Sequence, residues 1–402
     1  MKRQLPDIDG LRSLLQPRVP RLDAWRARVE RAQTIGDLRT LARWRTPRAV
    51  FDYTDGAADE EIALARSREL FASLTLHPQI LRDVHEVDPS IVLFGRPSAL
   101  PFALAPTGFT RMMRADGEPA VARAAERAGI PYALSTMGTT SIEEVAQAAP
   151  TLRRWFQLYL WHDRDAGLSF LERSKASGYD ALILTVDVPV AGNRLRDVYN
   201  GLTIPPQITG RTFLDGALHP AWWFDLLTTP TLEFASMHSY GGTVGSLIDT
   251  MFDPSATIDD LAFLREHWDG TFIVKGVQRL EDIARLADIG VDGVVLSNHG
   301  GRQLDRATTP LRLLGAAVQS YGEHLEILID GGVTHGADIV AAMALGAKGV
   351  LVGRAYLYGL MAGGEAGVDR AIAILSSQVR RTMQLLGVRT IQELDPSFVS
   401  LP

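Results

Sequence analysis

The chain has 402 residues, 46% of them hydrophobic and 22% charged, with a formal net charge of −6. That balance supports a large core and argues against a nucleic-acid partner, because no polycationic face is on offer. There are no cysteines, so disulfides, thiolate metal sites, iron–sulfur clusters and a cysteine nucleophile are all excluded; no metal site is expected, and any redox chemistry needs a borrowed cofactor.

The first ten residues, MKRQLPDIDG, carry two basic residues with no apolar stretch behind them. Nowhere do about 18 uncharged apolar residues run together, so the expected location is cytoplasmic. Residues 1–48 are rich in Arg and Pro, with helical spacing around Leu38, Leu41 and Trp44, and read as an N-terminal helical extension. From Pro101 onward a unit recurs: a short apolar run, polar residues at its end, then an Ala/Glu/Arg-rich stretch closing on glycine. The strand candidates are Phe102–Ala105, Tyr132–Leu134, Trp155–Leu158, Ala181–Val186, Phe272–Val274, Gly293–Leu296, Ile327–Ile329 and Gly349–Val352.

Eight strands alternating with helices favour a closed (β/α)8 TIM barrel, with an open α/β sheet as the alternative. The barrel is expected over 49–390 and a C-terminal tail over 391–402. The rhythm breaks once, between Asp187 and Thr271, where a long insertion (about 190–258) holds IPPQ, HPAWWF and GGTVG. Insertions at a barrel mouth usually serve as lids or partner surfaces.

Barrel chemistry sits at the C-terminal strand ends. Here the ends carry Thr107; Ser135; Gln157 with Tyr159; Thr185 with Asp187; Lys275; Ser297 with His299; Asp330; and Arg354. Any one hydroxyl there is explained by loop-backbone hydrogen bonding, but a full ring of polar ends points to a site. The last two ends, ILIDGGV (327–333) and VLVGR (350–354), combine small residues with Arg354, a pattern suited to phosphate binding. In SNHGGRQLD (297–305), His299 can accept a proton near neutral pH and the fork of Arg302 fits a carboxylate. Asp187 is placed to orient an imidazolium, and Arg194 to act as a second clamp; a loop ion pair between those two is the plainer alternative. Lys275, closing an apolar run, needs an anionic partner if buried, and a Schiff-base role stays open.

PTGF (106–109), FQLY (156–159), LTVDVP (184–189), VKGV (274–277), SNHGGRQLD, DGG (330–332) and VGR (352–354), in this order, resemble the FMN-dependent 2-hydroxy acid dehydrogenases and oxidases, most of all the actinobacterial L-lactate-oxidising branch. The resemblance implies FMN at the mouth of the barrel and oxidation of an L-2-hydroxy acid, first of all L-lactate to pyruvate. It implies Pro106, Thr107 and Gly108 against the flavin; Ser135, Gln157, Thr185, Lys275 and Ser297 bonding the flavin and ribityl chain; and Asp330, Gly331, Gly332, Gly353 and Arg354 at the phosphate end. On the substrate side it implies Tyr53, Tyr159, Arg194 and Arg302, with Met137 lining the pocket, His299 as base and Asp187 behind it. It also implies a homotetramer, with a quinone or oxygen as electron acceptor; an oxygen-using oxidase or monooxygenase and a mandelate-type dehydrogenase are the alternatives.

Three departures stand out. Thr334 and His335 follow DGGV where many members of the family have arginine, Met137 replaces the tryptophan of glycolate-oxidising relatives, and Gly108 replaces the alanine usual in oxidases. The aromatic cluster in HPAWWFDLL (219–227) reads either as packing over the barrel mouth or a subunit contact, or as a weak contact with a membrane surface.

Overall fold

The computed structural model describes residues 23–161, 164–201, 215–236 and 252–402. Eight parallel strands close on themselves: β1 (Phe102–Leu104), β2 (Tyr132–Ser135), β3 (Arg154–Tyr159), β4 (Ala181–Thr185), β5 (Thr271–Val277), β6 (Gly293–Leu296), β7 (Glu326–Ile329) and β8 (Gly349–Val352). Each pairs with its sequence neighbour, and Val350 of β8 pairs with Phe102 of β1 to complete the barrel. All eight expected strands exist, with ends differing by up to three residues. The strands are buried almost throughout, which is why they read as continuous Val/Ile/Leu runs without alternation.

The N-terminal end of the barrel is plugged. A hairpin of Ile91–Leu93 and Arg96–Ser98 turns at Phe94, whose ring meets Trp155 edge-on at 6.1 Å and whose amide donates to the Glu326 carboxylate at 2.8 Å. The cavity among the polar strand ends lies at the opposite, C-terminal mouth.

Before the barrel run the helices Ala24–Arg31, Ile35–Arg45, Arg48–Asp55 and Ile62–Ala72. Thr34 and Asp37 form a reciprocal capping box at the start of the second. Its Leu38 and Leu41 are buried, whereas Trp44 is 60% exposed, so the inward stripe passes through Ala42 instead. The first three of these lean on the long C-terminal helical segment Arg354–Leu386, which kinks at Gly363–Gly364; Trp25 Nε1 donates to the Ala362 carbonyl at 2.6 Å.

Between β4 and β5 the described residues include helices Leu195–Asn200 and Pro220–Thr228 and a regular crossover helix, Ile258–Glu266. The IPPQ (204–207) and GGTVG (241–245) motifs lie outside the described residues.

Candidate active site

Sixteen of the side chains and glycines singled out in the sequence surround one cavity at the barrel mouth: Tyr53, Pro106, Thr107, Gly108, Ser135, Met137, Tyr159, Arg194, Lys275, His299, Arg302, Asp330, Gly331, Gly332, Gly353 and Arg354. Gln157, Thr185, Ser297 and the side chain of Asp187 are buried close to that lining.

At one end stands His299. Its Nδ1 lies 3.0 Å from Asp187 Oδ1, and a carboxylate can only accept, so Nδ1 carries the proton and Nε2 keeps a lone pair. Burial pushes the imidazole pKa down; Asp187 opposes this, Lys275 adds to it, and the net result is below the ordinary histidine value. The ring is therefore neutral at pH 7. Burial pushes the Asp187 carboxyl up, but His299 and Lys275 outweigh it and hold it below the usual carboxylate range. His299 adopts a left-handed φ of 56°, a conformation costing about 1–2 kcal/mol for a residue with a Cβ. Ser297 Oγ secures it by accepting the His299 amide at 3.0 Å, and Asn298 Oδ1 accepts the Gly301 amide at 3.1 Å.

Across from the histidine, Arg194 and Arg302 lie 5.6 and 5.0 Å from the centre of the Tyr53 ring. Arg194 sits 3.9 Å from Asp197; the loop ion pair considered between Asp187 and Arg194 does not form, because Asp187 is taken by His299. Arg302 has no carboxylate partner among the described residues, and burial together with Arg194 lowers its pKa to about 10, leaving it charged at neutral pH. Tyr159 completes this end, edge-on to Phe252 at 5.3 Å.

Lys275 has the anionic partner its burial demands. Its Nζ is 3.2 Å from Asp330 Oδ2 and donates to Ser297 Oγ at 3.1 Å. Burial lowers its pKa, but Asp330 and Asp187 raise it further, to above the ordinary value, so it stays a cation and is not poised as a Schiff-base nucleophile.

At the far end, Gly331 and Gly332 hold φ of 87° and 84°, a region glycine enters freely. Arg354 donates to the carbonyls of Thr54, Gly300 and Gly56 at 3.0, 2.9 and 2.7 Å. Arg302 donates to the carbonyls of Tyr53 and Gly56 at 2.5 and 3.1 Å. The stretch 53–56 thus orients both arginines, and Asp55 within it is anchored by Arg39 at 2.6 and 2.8 Å, by Tyr358 at 2.7 Å and by Arg196. Neither the anchoring role of this stretch nor Arg68, which also lines the cavity, followed from the strand-end rule. The available signal was helical phase: Leu64, Ser67, Arg68 and Phe71 fall on one face of the helix Ile62–Ala72.

Four buried polar atoms around the mouth lack a hydrogen-bond partner among the described residues: Gln157 Nε2, Thr185 Oγ1, Asp187 Oδ2 and Asp330 Oδ1. Such groups call for a ligand or water. A planar, polar-edged ring system matches the amide, hydroxyl and lysine set beneath the mouth, and a phosphate matches the cationic far end, so the residues present fit FMN.

The whole barrel and this site define a flavin-dependent oxidoreductase. The FMN-dependent dehydrogenase family model matches residues 42–401, and the chain belongs to that family. A Mycobacterium tuberculosis protein named "Putative L-lactate dehydrogenase" is 54% identical over 400 residues, covering 100% of this chain and 97% of that one. The L-lactate dehydrogenase of Caulobacter vibrioides is 42% identical over 371 residues, 90% of this chain and 96% of the relative. Among solved structures, the monotopic membrane protein (S)-mandelate dehydrogenase superposes with a TM-score of 0.89 at 37% identity, covering 92% of this chain and 100% of that one.

Proposed function

We propose that this FMN-dependent dehydrogenase oxidises L-lactate to pyruvate. The carrying observation is the neutral His299, backed by Asp187, sharing its cavity with a half-buried Arg302 that lacks a carboxylate partner among the described residues. Arg302 and Arg194 would grip the substrate carboxylate, Tyr53 and Tyr159 its polar edge, and Met137 would pack on its small apolar end. His299 Nε2 would accept one proton from the substrate, and Asp187 would stabilise the resulting imidazolium. FMN, when bound, supplies the acceptor for the remaining hydrogen and the two electrons. Lys275 would place a fixed positive charge where negative charge builds up on reduction. Ser135, Gln157, Thr185 and Ser297 would hold the ring and ribityl chain beside Pro106, Thr107 and Gly108; Asp330 to Gly332, Gly353 and Arg354 would hold the phosphate end.

Lactate is favoured because the relatives named above carry that description at 54% and 42% identity. The second reading, a mandelate-type substrate, draws on the close superposition with (S)-mandelate dehydrogenase. Anaerobic bleaching of the flavin by a panel of lactate, glycolate, mandelate and longer 2-hydroxy acids separates them: fastest reduction by mandelate, or no reduction by lactate, would overturn the lactate assignment.

For the electron acceptor we propose a quinone reached at the cytoplasmic face of the membrane, by a homotetramer in peripheral contact. No described helix is long and apolar enough to cross a bilayer. Trp222 Nε1 donates to the Met112 carbonyl at 2.8 Å and Trp222 packs against the core, in keeping with the packing reading of that ring. Leu218, Phe224 and Leu227, by contrast, are 79, 68 and 73% exposed, and these are the side chains available to a lipid surface.

A further inference from the structure

The loop after β7 carries no arginine beyond its glycines, and the structure shows what its two replacements do. His335 is the N-cap of the helix Gly336–Ala344: its Nδ1 accepts the Ala337 amide at 3.0 Å, while Asp338 accepts the amides of Thr334 and His335 at 2.9 Å each. His335 is thereby committed to helix capping, and it does not line the cavity. This end of the cavity would have a single cation, Arg354, three of whose nitrogens already donate to backbone carbonyls.

A second cation comes from outside the barrel. Helix Ile62–Ala72 lies against the two glycine loops, with Leu64 and Arg68 in the cavity wall beside Gly331–Thr334 and Gly353–Arg354. The packing is close: a Cβ on Gly332 would stand 3.1 Å from the carbonyl oxygen and Cβ of Ser67. Asp305 of the SNHGGRQLD loop fixes the helix in place by accepting the Ala63 amide at 2.8 Å. Arg68 has no hydrogen bond or ion pair among the described residues. The nearby Asp55 carboxylate is already held by Arg39, Arg196 and Tyr358. Two guanidiniums sharing one end of a cavity, neither with a carboxylate partner among the described residues, repel unless an anion lies between them.

We propose that Arg68 is a phosphate-binding residue, taking the FMN phosphate together with Arg354 and standing in for the cation the loop after β7 does not carry. The proposal rests on the FMN reading of the cavity and adds a residue from the helices that precede the barrel. Arg68 offers five N–H donors in a planar fork, a geometry suited to two phosphate oxygens at once.

Riboflavin is FMN without the phosphate, so the two ligands isolate the contribution of Arg68. The full chain, stripped of flavin, is titrated with each and binding is followed by flavin fluorescence, with no turnover involved. Arg68→Ala is expected to weaken FMN binding roughly ten- to a hundredfold while leaving riboflavin binding unchanged, and Arg68→Lys to fall in between. If Arg68→Ala does not accumulate folded, Arg68→Gln carries the same comparison while keeping the first methylenes of the side chain and removing the charge. Equal losses for both ligands, or no loss for FMN, overturns the proposal. A wild-type chain that binds no flavin at all defeats the FMN reading itself, a distinct result.

Discussion

The two ends of the cavity handle charge in opposite ways. At the His299 end the charge is adjustable: an imidazole lowered below its ordinary pKa sits on a carboxylate held ionised, an arrangement that can take up a proton and release it. At the Arg354 end the charge is permanent, and its donors are fixed to backbone carbonyls 54, 298 and 300 residues away in sequence. In the proposed reaction one end would change state during a cycle and the other would hold the cofactor through every cycle. Substitutions should therefore separate cleanly, with the first end affecting rate and the second affecting retention of the cofactor.

The sharpest test of that separation is His299→Gln, which should keep its flavin and lower the rate of flavin reduction by L-lactate about 10²–10⁴-fold in anaerobic stopped flow. Weakened flavin retention, with an unchanged reduction rate for the flavin that stays bound, would reverse the assignment of the two ends. Lys275→Met bridges them, since it strands Asp330, whose second oxygen already has no partner among the described residues. Removing one member of a buried pair costs about 3–5 kcal/mol, to be seen as a lowered urea midpoint; adding Asp330→Asn should recover part of it. Arg302→Lys keeps the charge and loses the fork, so kcat/KM for lactate should fall about tenfold to a hundredfold while FMN stays bound.

The pH dependence follows from direction alone. His299 must be neutral to accept a proton and its pKa lies below the ordinary 6.5, so flavin reduction should be flat above neutrality and fall only as pH drops through an acid limb below 6.5. Stability carries the same sign: the unfolded chain binds the proton at higher pH than the folded one, so this contribution is present above the unfolded value and lost as pH falls. A limb centred above neutrality would mean that Asp187 outweighs burial. The smallest effect is expected outside the cavity, where Phe224→Ser with Leu227→Ser should reduce co-sedimentation with anionic vesicles and leave flavin reduction by lactate intact. No change in sedimentation would remove the membrane role of that helix.

Most of the fold was legible because parallel barrel strands are buried on both sides and announce themselves as apolar runs, while all their polar ends meet at one mouth. The His299 end was legible for the same reason: Asp187 and His299 come within three residues of a strand end, and Lys275 lies near the end of an apolar strand. Tyr53 came only through the resemblance, since it sits on a helix before the barrel. Arg68 and the carbonyls of 53–56 were hidden further, because tertiary packing brings them to the mouth and backbone acceptors leave no mark on sequence. The aromatic cluster was visible in composition, yet its division into an anchored Trp222 and an exposed Phe224 depends on which face of one helix meets Met112.

The Gly56 carbonyl, which accepts from both Arg302 and Arg354, has a consequence for how the enzyme comes into being. During synthesis residues 53–56 leave the ribosome first, and the side chains they orient arrive about 250 and 300 residues later. A nascent chain stopped before the eighth strand already carries Arg302 but lacks Arg354 and the Tyr358 that anchors Asp55, so the 53–56 carbonyls then have only one of the two guanidiniums they orient. The shared Gly56 acceptor is therefore fully used only once the chain has run through Arg354.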